Sequence, residues 1–411
     1  MALLDVGIMF AAVAAAGVVA DRLGQSVIPF YILVGMLLGE FVLGRVSLPA
    51  LGTVYVPETE FISLGAELGI VFLLFFLGLE FNLDRLLARW RPIGTAGTID
   101  LANFGVGLVL GWLVFGAFLP AFLVAGIVYI SSSAVITKSL IDLGWIANDE
   151  AEPMLGTLVY EDLFIAVYLS VASALVLGGG DVAAAAVDVG IALGFIAGLF
   201  ALVQFGTPAF DRLVETDNKE FVALRSIATV VLVAGAALAL GVSEAVAAFF
   251  VGMAFSSTDS AHEIETLLEP VRDTFAAVFF FWIGLVTDPA LFVDVAALIA
   301  LAVAVTTPTK VVTGYFAGRA FDLDARRSTR VGLGMTTRGE FSLIIATIAV
   351  TGANAGSFDP ALAGTINAFA VGYVLVMAVL GTTLMGYSAP FESIATSWLD
   401  SADASDSESL G

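Results

Sequence analysis

The chain has 411 residues, of which 59% are hydrophobic and 13% charged, at a mean hydropathy of +1.01. A soluble domain carries about 25% charged residues, so this composition excludes a soluble globular protein and leaves an all-α polytopic membrane protein. The net charge of −22 sits in loops and the C-terminal stretch, resembles the acidic surface of proteins from very salty cells or an acidic face for a basic partner, and argues against nucleic acid.

A span must cover about 30 Å of hydrocarbon. Windows long enough fall at about 4–20, 27–44, 62–82, 93–116, 118–143, 153–177, 182–206, 221–240, 243–257, 268–286, 290–317, 327–352 and 363–388, thirteen in all. No run of about 50 polar residues leaves room for an extramembrane core. The expected organisation is a membrane domain over 1–390 and an acidic, disordered cytoplasmic tail over 391–411. The N-terminus has no basic segment or cleavage site before its first apolar run, which predicts an uncleaved span. The absence of cysteine excludes disulfides and thiolate metal sites, and no cofactor is called for. His262, in SSTDSAHEIE, reads as a solvated loop residue. Gly190, Gly194 and Gly198 allow close helix approach, as packing or a subunit contact.

Of sixteen Lys and Arg, all but three fall at ends or loops that follow odd-numbered spans. Arg45 lies on the opposite side, and Lys310 and Arg338 lie within spans. The positive-inside rule then predicts an external N-terminus and a cytoplasmic C-terminus in the cell membrane.

The halves echo each other. FLLFFLGLEFNLDRL at 72–86 resembles AVFFFWIGLVTDPALF at 277–292, with Gly78 on Gly284 at an offset of 206, and ILVGMLLG pairs with FFVGMAFS before that. The same offset sets Ser131 on Thr337 and Glu161 on Asn367. Repeat 1 (about 4–177) and repeat 2 (about 221–388) flank a linker helix at about 182–206, which makes them inverted, the architecture of secondary transporters. Chance similarity accounts for a shared Gly-Leu and not for matched polar interruptions.

Those interruptions are SSSAVITK (131–138) in the fifth span and GMTTRGEF (334–341) in the twelfth. They predict two crossing broken helices, since irregular backbone at that depth is tolerated where it lines a cavity. Glu161 and Asp162 stand together in MLGTLVYEDLFIAVYLSVASALVL. A carboxylate at bilayer depth costs roughly 2.5–3.5 kcal/mol on insertion scales and marks an ion or proton pathway. Asp162 lies nine residues beyond Pro153, about 13 Å deep, and Lys310 about 12 Å deep from the same side. Adjacent helical residues point about 100° apart. One acid can therefore pair with Lys310 while the other takes an ion. Lys310 reads as a proton carrier or as half of a structural ion pair. Arg338 and Glu340 read as bridging the broken helix internally. Asp100 joins the site with Asn103 or is a hydrated helix-end acid, and Thr336 and Thr337 add hydroxyls.

On FLLFFLGLE, SSSAVITKSLIDLG, LVYEDLFIAV, EPVRDTFAAVFFFWIGL, the Lys310 span and GMTTRGEFSLII, the chain resembles the monovalent cation:proton antiporter superfamily, in the branch of Kef-type and bacterial sodium/proton antiporters. The resemblance covers nearly all of 1–390 and implies thirteen helices, a homodimer and a mobile core of crossing broken helices. By position, Asp162 matches the family's cation- and proton-binding aspartate and Lys310 its intramembrane lysine. Glu161 stands where relatives carry Asp, Asn or Gln. Its pairing with Lys310 implies a charge-moving exchange.

The expected function is antiport, with no enzymatic reaction. Asp162 alternates between a proton and Na+, K+ or Li+, and Glu161 with the hydroxyls of Ser131, Ser132 and Ser133 completes the site. Na+ is the favoured cargo, with a Kef-type K+/H+ exchanger as the alternative. A channel needs a continuous polar pore, an intramembrane aspartyl protease needs a GxGD motif that is absent, and an organic-anion transporter needs cationic groups facing substrate.

Overall fold

A computed structural model describes residues 2–45, 47–48, 52–53, 55–80, 89–177, 218–239 and 244–396, with isolated positions at 190, 194, 198, 210, 212 and 214–216. Fifteen helices run through them: α1 (Ala2–Arg22), α2 (Val27–Leu38), α3 (Glu60–Glu80), α4 (Trp90–Asp100), α5 (Ala102–Phe115), α6 (Phe118–Tyr129), α7 (Ser133–Asp142), α8 (Ala151–Leu177), α9 (Lys219–Ala239), α10 (Glu244–Ser256), α11 (Ala261–Leu285), α12 (Leu291–Ala320), α13 (Ala325–Gly334), α14 (Glu340–Asn354) and α15 (Pro360–Gly386). Residues 389–396 are also helical. The strands among the described residues are β1 (Ser47–Leu48) and β2 (Gly52–Thr53), one short antiparallel pair. Most of the linker helix expected at 182–206 and the tail beyond 396 lie outside the described residues. Gly190, Gly194 and Gly198 are helical and exposed.

Among the described residues, eight segments are long and apolar enough to cross a membrane, and Phe118–Tyr129, Glu244–Ser256 and Glu340–Asn354 are shorter apolar helices. The protein is thus a multi-pass helical membrane protein. Local chemistry sets several helix ends. Ser26 accepts from the Ile28 amide at the start of α2, Asp324 caps α13 through the Arg327 amide, and Gly116 stops α5 at φ +64°. His262 is not in a loop: it lies in the first turn of α11, exposed, 3.4 Å from Glu265.

The chain divides into two compact units. The first comprises Met1–Arg85, Phe164–Val293 and Ile344–Val371. In it α2 packs on α11 and α3 on α10, both through glycine. A Cβ on Gly35 would collide with the Phe281 carbonyl and one on Gly284 with that of Ile32. A Cβ on Gly78 would collide with the Phe249 carbonyl and one on Gly252 with that of Phe75. The two crossings correspond residue for residue: Phe75 and Gly78 stand 206 before Phe281 and Gly284, and Ile32 and Gly35 stand 217 before Phe249 and Gly252. Small residues at such crossings let helices gain dispersion contacts where lipid supplies no hydrophobic drive.

The second unit comprises Leu86–Leu163, Asp294–Leu343 and Gly372–Gly411. Here α5 meets α6 through Gly107 and Gly111. Ile136, Leu140, Met154, Leu158, Val331 and Met385 form an apolar core. All the charged groups described next belong to this unit.

Candidate functional site

Two helix interruptions build the site. The first runs from Ile130, extended at φ −71° and ψ 130°, to Ser132, and α7 begins at Ser133. It is shorter than the polar run suggested because Ser132 Oγ accepts the Val135 amide at 3.3 Å and starts a new helix at once. The second covers 335–339, between α13 and α14.

Their backbones join. The Ser132 amide donates to the Thr337 carbonyl at 3.3 Å, and Ser342 Oγ donates to the Ile127 carbonyl at 2.7 Å. A broken helix leaves carbonyls without intrahelical donors. Arg338, fully buried, answers this need: Nε donates to the Val128 carbonyl at 3.0 Å, and Nη1 lies 3.1, 3.1 and 2.8 Å from the carbonyls of Met335, Thr336 and Thr337. Its positive charge sits against the carbonyl end of α6, where the helix dipole is negative. Glu340 instead accepts Ser132 Oγ at 2.8 Å.

Lys310, from α12, is the centre of a second set of contacts. Its Nζ lies 2.7 Å from Asp100 Oδ2, 2.7 Å from Glu161 Oε1 and 3.1 Å from Ser131 Oγ. Lys310, Asp100 and Glu161 have no exposed side-chain surface. Glu161 also accepts the Ser131 amide at 2.6 Å and Ser131 Oγ at 2.9 Å. The amide precedes α7, so this carboxylate faces the positive end of a half-helix. Asp100 accepts Asn103 Nδ2 at 3.1 Å and Thr313 Oγ1 at 3.2 Å. The helix is interrupted after Asp100, at Leu101, and Asn103 Nδ2 also donates to the Asp100 carbonyl at 2.9 Å. Desolvated ions survive only with partners of this quality.

Asp162 follows Glu161 on α8 and is 5% exposed. Tyr129, the last residue of α6, has its ring centre 5.1 Å from Lys310 Nζ. Of the expected hydroxyls, Ser131 and Ser132 are engaged with carboxylates, and Thr336 Oγ1 bonds back to the Leu333 carbonyl. Ser133 Oγ and Thr337 Oγ1 have no hydrogen-bond partner among the described residues. No group of three or more His, Asp or Glu suited to a resident metal occurs among the described residues. Sequence reasoning passed over Tyr129 and Thr313. The spacing of Thr313 from Lys310, three residues along α12, was the available signal.

A buried acid pair, a buried ammonium and two helix breaks in one membrane-embedded unit define an ion-translocating carrier. Residues 8–387 match the family described as sodium/hydrogen exchanger, transmembrane, and the chain belongs to that family, whose members are transporters and not enzymes. It is 36% identical over 382 residues to the K(+)/H(+) antiporter subunit KhtU of Bacillus subtilis, covering 92% of this chain and 91% of that one. The Na(+)/H(+)-K(+) antiporter GerN of Bacillus cereus is 30% identical over 343 residues, covering 80% and 83%. The sodium proton antiporter MjNhaP1 of Methanocaldococcus jannaschii shares the fold at a TM-score of 0.71 and 15% identity, over 94% of this chain and 97% of that one.

Proposed function

We propose that this protein is a secondary antiporter that exchanges a monovalent cation for a proton by alternating access, with Asp162 as the shared site. The observation that carries the reading is the buried Asp100–Lys310–Glu161 network, set beside Asp162 where two helix breaks meet. Glu161 is occupied by Lys310 and Ser131 and acts as the charge partner. Asp162 is the carboxylate that alternates: as an acid it carries the proton, and as an anion it holds the cation. Hard cations take oxygen ligands, and Ser133 and Thr337 supply hydroxyls at the breaks. Because one carboxylate serves both, the two ions compete and their gradients couple.

The expected frame is thirteen spans in two inverted repeats, in a homodimer of the cell membrane with its N-terminus outside. The corresponding glycine crossings of α2 with α11 and α3 with α10 support the repeat. Arg45, after α2, lies 3.1 Å from Asp288, after α11, which supports placing those two ends on one side.

Na+ is the cargo favoured from the sequence. K+ is a second reading with its own support, since the relative at 36% identity is named a K(+)/H(+) antiporter subunit. Cation-induced proton movement in proteoliposomes, compared for Na+, K+ and Li+, decides between them. Asp162→Asn is expected to abolish the response while the protein still assembles. Full exchange in that variant would overturn the assignment.

A further inference from the structure

We infer that Arg330 and Glu392 are positioning residues of the cation site: they clasp the far ends of the helices that carry it, and the clasp sets how tightly the cation is held. The inference rests on the antiport reading above and concerns the affinity of that same site.

Arg330, on α13, stands where three segments meet. Its Nη1 donates to Glu150 Oε1 at 2.7 Å and its Nε to Glu392 Oε1 at 2.8 Å, and its guanidinium lies 4.7 Å from the ring centre of Trp145. Glu392, on the helix at 389–396, also accepts Arg326 Nε and Ser388 Oγ, each at 2.7 Å. Glu150 has no exposed side-chain surface and Glu392 very little.

Each segment leads to one part of the site. Glu150 immediately precedes α8, which reaches Asp162 about three turns later. Trp145 follows α7, where its amide donates to the Leu140 carbonyl at 2.7 Å, and α7 begins at Ser133. The third segment, α13, ends at Gly334, where the second break and Thr337 follow. It is packed hard along its length: a Cβ on Gly332 would collide with the Val311 carbonyl of α12, and one on Gly334 with the Met154 side chain of α8. A close-packed element passes a displacement on and does not absorb it.

Apolar residues of similar volume would hold these ends at least as firmly, since desolvation offsets most of the attraction within a buried ion pair. What the guanidinium fork adds is direction, with N–H groups fixed toward both acids. That matters for a cation more than for a proton. A proton on Asp162 needs one carboxylate oxygen, whereas a cation needs a shell of oxygens, drawn here from both breaks. Ligands held in place beforehand bind more tightly, so a loosened clasp weakens the cation and leaves the carboxylate itself in place.

The test measures proton movement in proteoliposomes against cation concentration, for Na+ and K+. Glu392→Gln is expected to raise the half-saturating concentration by about fivefold or more, the lower end of coupling between separate sites, with the maximal rate per folded transporter retained. Arg326→Gln should shift it in the same direction, and should add nothing once Glu392→Gln is present, because Glu392 is its one ion pair among the described residues. Arg89→Gln, which removes an exposed pair with Glu152 at the same end of α8, is the control and should leave half-saturation unchanged. A lower maximal rate at unchanged half-saturation in Glu392→Gln is the mark of a merely structural clamp and overturns the inference. An equal shift in Arg89→Gln also overturns it, as does a further shift in the double variant. If Glu392→Gln does not assemble, the largely exposed Arg326 decides: a raised half-saturation in Arg326→Gln supports the clasp and an unchanged one overturns it. No proton movement with any cation in the wild type sinks the antiport reading itself, and the inference with it.

Discussion

Arg338 Nε donates at 3.0 Å to the carbonyl of Val128, 210 residues earlier in the chain, so one side chain fastens the second helix break to the last turn of α6. Its Nη1 gathers three more carbonyls from its own break. This is work for a planar fork with several donors, which a lysine does not have.

Arg338→Lys is therefore expected to destabilise the protein by about 2–3 kcal/mol, on the scale of a charge-assisted hydrogen bond left unmade. Exchange should fall along with stability. Thermal unfolding in detergent, followed by the transport assay, checks both. A variant with unchanged midpoint and rate would show that the carbonyls do not depend on Arg338.

The glycine crossings make a paired prediction. Gly78→Ala and Gly284→Ala each push a Cβ into a backbone carbonyl of the opposing helix, and overpacking of this kind costs about 1–3 kcal/mol. Similar losses are expected at the two corresponding sites. Gly235→Ala, on α9 with open space around it, is the control and should be neutral or stabilising by up to about 1 kcal/mol. Unfolding midpoints for the three variants test the pattern, and equal losses at all three would refute it.

Much of this was legible in the residues. Polar runs within apolar spans marked both interruptions, because backbone that leaves a helix at depth needs hydroxyls and small residues around it. Depth along the helices sets Lys310 level with Asp162, and so beside Glu161 next to it. What stayed hidden depended on the path of the chain after each break. Arg338 reads beside Glu340 as half of an internal bridge, yet its hydrogen bonds run to carbonyls, and carbonyls carry no sequence signature. Asp100 admits two readings in the sequence because its partners on α12, Lys310 and Thr313, stand 210 and 213 residues away. Thr313 resembles the many helical threonines that bond back one turn, and Tyr129 closes an apolar helix with nothing beside it to mark a role.

Removal of Lys310 tests the cost of the buried network. Lys310→Met keeps an unbranched side chain, one atom shorter, and deletes the charge, leaving Asp100 and Glu161 buried together. Breaking a buried ion pair costs about 3–5 kcal/mol, so a large fall in unfolding midpoint is expected. Lys310→Met combined with Asp100→Asn and Glu161→Gln removes all three charges and should recover a substantial part of that stability without restoring exchange. Thermal unfolding of the single and triple variants decides. If the triple variant is no more stable than the single, the two carboxylates are not what destabilises it.

A clamp of charged groups on α13 responds to pH. Glu392, in the helix at 389–396 beyond α15, receives Arg330 Nε at 2.8 Å, Arg326 Nε at 2.7 Å and Ser388 Oγ at 2.7 Å. Arg330 also reaches the buried Glu150 at 2.7 Å, so α13 is held from two sides just before it leads into its break. Burial raises the Glu392 carboxyl, but the hydrogen bonds from Arg330, Ser388 and Arg326 outweigh it and bring the value down from 4.5 to about 2. A depressed acid stabilises the folded state fully above its unfolded value and loses that contribution as pH falls through its folded value. The contribution of Glu392 should thus be constant from neutrality to about pH 5 and disappear between about 4.5 and 2. Glu392→Gln is expected to be less stable than the wild type at pH 7, with the difference shrinking on acidification through that window. Unfolding midpoints of the two proteins across pH 2.5 to 7 measure it. A difference that persists undiminished at the acid end would mean that the clamp does not hold Glu392 as an anion.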